Sequence, residues 1–207
     1  MRVLEIVDVG KTYAGTALFS DVRLTVAPGT ATALVGPNGC GKSTFLRGVL
    51  GTEPFDRGRV LLDDVELDER DPAVRAAVAA DIEELPAFPD LSVREHLELL
   101  ARAHATPDPG TVVDAALQEL HLVPAADRMP ATLSSGQRRR FAFGAWLVRP
   151  RRVLLLDEPE HHLDDEGRTW LAERLRAERG AGTAVLFASH DSVLVERVAD
   201  AVVRIGR

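Results

Sequence analysis

The spacing of apolar residues changes along this chain, and each change marks a different kind of element. Residues 3–8, 22–26 and 58–62 mix apolar and polar side chains in short runs that read as strands, punctuated by Pro28-Gly29 and Asp63-Asp64. Residues 31–35, 153–156 and 185–188 are short continuous apolar runs instead, the pattern of strands buried on both faces of a mainly parallel sheet. Helical spacing lies between them. A helix over 42–50 follows the first buried run at once. Ser92-Val93-Arg94-Glu95 has the form of a capping box, in which the serine hydroxyl and the glutamate three residues on satisfy each other's backbone N–H groups. Val93, Leu97 and Leu100 continue it as an apolar stripe through about residue 104. Further helices are expected over 109–120, from 137 to about 148, and from 165 to about 178. The fold class predicted is α/β: a mainly parallel core sheet, an N-terminal antiparallel β portion and an inserted helical subdomain at about 89–149, all within one domain of residues 1–207.

Composition narrows the partners. With 207 residues, 45% hydrophobic and 28% charged, the chain has the make-up of an ordinary globular domain with a sizeable core. No apolar run approaches the ~18 to 20 residues that span a bilayer. Met1-Arg2-Val3-Leu4-Glu5 lacks the apolar stretch of a signal peptide, so the expected location is cytoplasmic, with any membrane role exerted through a partner. A net charge of −7 argues against nucleic acid as a partner, because neutralising phosphates needs a basic surface. The arginines Arg138, Arg139, Arg140, Arg149, Arg151 and Arg152 are read as a solvated helix face and loop rather than as a DNA patch. Cys40, the only cysteine, excludes an intramolecular disulfide and agrees with a reducing compartment.

Three motifs carry chemistry. Gly36-Pro37-Asn38-Gly39-Cys40-Gly41-Lys42-Ser43-Thr44 matches the phosphate-binding loop G-x-x-x-x-G-K-[ST], placed as that loop requires between a buried strand and a helix. Its glycines let backbone N–H groups approach phosphate, the helix N-terminus adds a positive dipole end, Lys42 is suited to the β and γ phosphates of ATP, and Ser43 to Mg²⁺. The second motif, Val153 to Pro159, delivers Asp157 and Glu158 at the end of a buried strand, where ligands bind in open α/β sheets. Asp157 suits Mg²⁺, directly or through water, and Glu158 suits the general base that polarises a water; a strand-end Asp-Glu pair taken alone also fits plain solvated surface. The third is Leu133-Ser134-Ser135-Gly136-Gln137, which opens a helix about 20 residues before Asp157.

With that third motif the whole chain resembles an ABC ATPase nucleotide-binding domain, a P-loop NTPase of ABC type, whose signature is LSGGQ; here Ser135 replaces the first glycine. The resemblance implies an ATP-binding and hydrolysing subunit of an ABC transporter. Two such subunits pair head to tail, each ATP lying between Gly36–Thr44 of one and Ser134, Ser135, Gly136 and Gln137 of the other. Closure of the pair drives a separate transmembrane permease subunit. It also implies that Tyr13 stacks on adenine, a core or surface role being the alternative, and that His190 is the switch histidine near the γ-phosphate. The other five histidines are read as solvated. Leu163-Asp164 closes a loop that bridges the subunits. The chain departs from the family pattern in three places. Glu83 stands where a glutamine is usual, as in bacterial peptide-antibiotic exporters, and a carboxylate there still suits Mg²⁺. His161-His162 replaces small residues, and Ser135 replaces glycine. Only residues 191–207 follow His190, which points modestly to export and resembles haem-exporter ATPases. A non-transport ABC ATPase, for example one of cofactor assembly, is the alternative. The surface around Glu83 and the Ser92 helix is expected to receive the membrane partner.

Overall fold

The computed structural model describes residues 3–83, 85 and 87–206. Met1 and Arg2, which entered the reading of the N-terminus, lie outside the described residues. The chain begins with the strands β1 (Leu4–Tyr13), β2 (Thr16–Val26) and β3 (Ala31–Val35), then helix α1 (Lys42–Leu50). Strands β4 (Arg57–Leu62) and β5 (Val65–Glu66), helix α2 (Pro72–Ala77) and strand β6 (Val78–Asp81) follow. Three helices come next, α3 (Val93–Ala103), α4 (Pro109–Glu119) and α5 (Ser135–Leu147), with two 3-10 turns before α5. The chain closes with β7 (Val153–Asp157), α6 (Asp165–Gly180), β8 (Ala184–Ala188), α7 (Ser192–Val198) and β9 (Ala201–Arg204).

Two sheets result. One is antiparallel in the order β2-β1-β4-β5; the other has the order β6-β7-β8-β3-β9, with every pairing parallel. The buried runs form the centre of the parallel sheet, and alternate residues face opposite layers. Ala31, Ala33, Leu154, Leu156, Val185 and Phe187 pack toward the helices α3–α7. Leu34, Val153, Leu155, Ala184, Leu186 and Ala188 pack toward α1 and the antiparallel sheet. Fully burying one such leucine, valine or phenylalanine is worth ~1.5–3 kcal/mol, so this central layer outweighs any single surface pair.

The helical insert enters after β6 and leaves before β7. Ser92 and Glu95 form the expected capping box at the start of α3. On α5, Gly144 faces α3 so closely that a Cβ there would lie 2.7 Å from Leu97 Cδ2, which fixes a glycine at that crossing.

Four expectations change. Strands β1 and β2 run further than their apolar pattern, because register shifts after Ile6, Val9 and Lys11 break the alternation, and Asp8 and Asp21 sit at positive φ. Helix α5 starts at Ser135, not Gln137, since Ser134 is the cap residue. His96 is not solvated: it is 2% exposed, accepts the Phe88 N–H at 2.7 Å through Nε2 and packs edge-on against Phe141. The arginine group is solvated only in part, at Arg138 and Arg152. Arg151 and Arg139 have side chains only 9% and 14% exposed and pair with Glu178 and Asp81. Burial, and the neighbouring Arg151 charge, lower Arg149 to about 10. Arg151 is drawn inward by the end of α5, where it donates to the carbonyls of Trp146, Leu147 and Arg149, and Arg139 by Asp81 and the Pro159 carbonyl.

Candidate functional site

Strands β6, β7, β8 and β3 are neighbours and parallel, so the loops at their C-terminal ends meet along one edge. After β3 the chain turns sharply at Gly36, where an added Cβ would lie 2.2 Å from the Ile205 carbonyl oxygen. Gly41, left-handed at φ 101°, then starts α1. Lys42, the first helical residue, is only 5% exposed, and its Nζ donates to the carbonyls of Gly36 (3.1 Å) and Pro37 (3.3 Å) and lies 2.8 Å from His190 Nε2. A buried ammonium at a helix N-terminus, within a loop of glycines, suits a polyanion such as a chain of phosphates.

Beside it, Ser43 on α1 adjoins the Asp157 carboxylate at the end of β7, whose Oδ1 is buried without a hydrogen-bond partner among the described residues. Burial pushes the Asp157 carboxyl above its usual range, helped by the Glu158 charge and opposed by the Ser43 hydroxyl and by Lys42 and Arg47. A hydroxyl next to an orphaned carboxylate oxygen is a donor set for a small hard cation, and a cation there would draw the titration back down.

Glu158 sits at φ 44°, a left-handed conformation that costs a non-glycine residue roughly 1–2 kcal/mol. Its N–H donates to Ala188 O at 2.9 Å. Its carboxylate is held between two imidazoles: His190 Nε2 is 3.0 Å from Oε1, and His161 Nε2 is 3.0 Å from Oε2. A carboxylate so placed has the position and partners of a general base. Glu160, 4% exposed, accepts from the Ser189 hydroxyl and from the N–H groups of His190 (3.1 Å) and Asp191 (3.4 Å), which fixes the loop after β8.

The structure thus brings Lys42, Ser43, Asp157, Glu158 and His190 together. Other candidates lie apart. Ser134 and Gln137 form a reciprocal capping box, Ser134 N–H to Gln137 Oε1 at 3.1 Å and Gln137 N–H to Ser134 Oγ at 3.2 Å. Among the described residues no hydrogen bond joins 134–137 to 36–44. A Cβ on Gly136 would lie 3.7 Å from His162 O instead. Tyr13 is 70% exposed, at the tip of the β1–β2 hairpin whose Leu18 and Phe19 lie against Gly41. Glu83, just past β6, is exposed and shares with Ser135, Asp157, Glu158 and His161 the wall of a cavity of about 650 Å³.

Sequence reasoning passed over His161, Glu160, Asp81 and Arg139. His161 was read only as a departure in the loop that bridges the subunits; in the structure its neighbour is Glu158. A local signal for Glu160 existed, since a charged residue three places past a buried strand needs a partner. Asp81 and Arg139 are 58 residues apart and gave no local signal.

The profile of a family described as ABC transporter matches residues 19–161. The sn-glycerol-3-phosphate import ATP-binding protein UgpC of Bartonella quintana is 34% identical over all of this chain and 60% of its own length. Its namesake in Bordetella pertussis is 36% identical over 93% of this chain and 54% of its own. The chain therefore spans a little over half the length of these curated relatives. A solved structure titled as the ATP-binding subunit of an ABC transporter superposes with a TM-score of 0.89 at 26% identity, covering 99% of this chain and 86% of that one.

Proposed function

The chain belongs to the ABC transporter family, and from that premise we propose that it is the ATP-binding and hydrolysing subunit that drives a separate transmembrane permease. What carries the reading is the convergence of Lys42, Ser43, Asp157, Glu158 and His190 at neighbouring strand ends. Residues 36–44 wrap the phosphates, their backbone N–H groups and Lys42 meeting the negative charge as Lys42 exchanges its loop carbonyls for phosphate oxygens. Ser43 and Asp157 would hold Mg²⁺, with Glu83 across the same cavity as the third oxygen donor; the ion supplies neutralisation of charge on the phosphates. Glu158 takes a proton from the attacking water, and His190, between Lys42 and Glu158, aligns the base with the terminal phosphate. Tyr13 lies free to stack on the base.

A second ABC ATPase subunit completes each site. The separation of 134–137 from 36–44 within one chain supports this, since the exposed start of α5 faces outward for another copy or a homologue. The permease is proposed to dock around Glu83 and the exposed Phe88, holding the subunit at the inner face of the membrane. On direction, the relatives named above are import proteins, so the export expected from residues 191–207 gains no support from them. Direction belongs to the permease.

Titration calorimetry tests the site directly. Lys42→Ala is expected to abolish measurable MgATP binding. Glu158→Gln is expected to keep binding, lose at least 100-fold in turnover, in the range for removing a general base, and accumulate an ATP-dependent dimer on size exclusion. Parent-like affinity in the first variant, or parent-like turnover in the second, would end the reading.

A further inference from the structure

The left-handed backbone at Glu158 has three anchors: the sheet, the turn that follows it, where the His161 N–H donates to Glu158 O at 3.1 Å, and the helical insert. On its N-terminal side the Glu158 N–H is held by Ala188 O at 2.9 Å. On its C-terminal side the carbonyl of the next residue, Pro159, accepts from Arg139 Nε at 3.1 Å. Arg139 belongs to α5, one turn past the Ser134 cap. Its guanidinium is stacked 4.7 Å from the centre of the Phe143 ring and tied to Asp81 at the end of β6, with Nη1 3.2 Å from Oδ1 and 3.0 Å from Oδ2. One planar fork therefore bonds the strand end before Glu83, the loop after Glu158 and the helix that begins at Ser135. Lysine has no equivalent, because a single ammonium on a flexible stem cannot hold Asp81 and the Pro159 carbonyl in fixed relative positions.

We infer that Arg139 is a positioning residue for the general base: through the Pro159 carbonyl it fixes the backbone that aims the Glu158 carboxylate, and it makes that aim depend on where α5 lies. This rests on the reading of Glu158 as the base. Movement of α5 relative to the sheet changes the Arg139–Pro159 bond first, so the start of the signature helix and the base of the same chain are mechanically joined.

The test uses steady-state ATPase kinetics and thermal melting of the full chain, in the same preparation as the parent. Arg139→Lys keeps the charge opposite Asp81. It is expected to melt near the parent, keep KM for ATP within about 3-fold and lose about 10- to 100-fold in kcat, the scale of a small misplacement of a catalytic group. The double variant Asp81→Leu with Arg139→Met removes the ion pair without leaving a buried lone charge, so the fold should hold. The same loss in kcat is expected there. A parent-like kcat in either variant overturns the inference. A rise in KM that accounts for the whole loss in kcat/KM does so too, since it would place Arg139 in binding rather than in aim. If Glu158→Gln itself turns over at the parent rate, it is the reading of Glu158 that fails.

Discussion

Two buried arginine–carboxylate pairs hold the helical layer to the parallel sheet, one at each end of its strands, and they are built differently. At the N-terminal end of β7, Glu178 is saturated: Arg151 meets it with two nitrogens, Arg174 and the Thr183 hydroxyl also donate to it, and Arg151 spends its remaining donors on the last carbonyls of α5. At the C-terminal end of β6, among the described residues, Asp81 has Arg139 alone, its Oδ2 lacks a well-directed hydrogen bond, and Arg139 Nη2 has none. The titrations follow. Burial pushes Glu178 up, but the Arg151 hydrogen bond and the charges of Arg151 and Arg174 outweigh it, and the carboxyl ends below its usual range. For Asp81 burial wins over Arg139, and the carboxyl ends above it. The difference teaches that the lower seam is a fastening and the upper one a contact that can be exchanged, on the side where the chemistry lies.

The largest expected effect breaks the fastening. Glu178→Gln leaves the buried Arg151 guanidinium short of its counter-charge and is expected to cost about 3–5 kcal/mol, seen as a melting temperature lower by roughly 10 °C. Because the folded pKa of Glu178 is depressed, its contribution is present above the ordinary carboxylate value and fades as pH falls through the folded one. Urea denaturation between pH 3 and 7 should therefore show a shallower acid decline in the variant. An unchanged decline would remove Glu178 from the account.

A smaller effect, of opposite pH sense, is expected at the other seam. Asp81 has a raised folded pKa, so its contribution is largest below the ordinary carboxylate value and is lost as pH rises through the folded one. Asp81→Asn keeps an acceptor for Arg139 but removes its counter-charge, and should cost about 1–3 kcal/mol at pH 7, less than Glu178→Gln. A loss as large as that of Glu178→Gln would erase the contrast between the seams. The smallest effect belongs to His161. Its side chain is 62% exposed, so His161→Ala should leave the melting temperature within about a degree, as for other surface pairs. A clear destabilisation would make the loop after Glu158 part of the core.

Legibility in the sequence followed the same division. Lys42, Ser43, Asp157 and Glu158 could be placed because each lies within a few residues of a buried apolar run that fixes its position. The helical insert was visible from its capping box and stripe. Strand β6 was not, since Val78-Ala79-Ala80-Asp81 is short and rich in alanine, and its strand character comes from pairing with β7. Arg139 and Arg151 looked like surface charge because arginine usually is; only the packing of α5 across the sheet reveals what they meet. Long-range pairs of this kind have no period to find.

Helix α5 can also be viewed as a lever. Its 13 residues span about 20 Å. The far end is clamped by Arg151 through the carbonyls of Trp146 and Leu147, while nearer the other end Arg139 bonds the Pro159 carbonyl and Asp81. A rod hinged in this way amplifies: a tilt of about 10° at the clamped end sweeps Ser134 through about 3 Å, given that length. That stroke is comparable to the length of a hydrogen bond. A small rotation at the foot of the helix is thus enough to carry its tip from one set of polar partners to another.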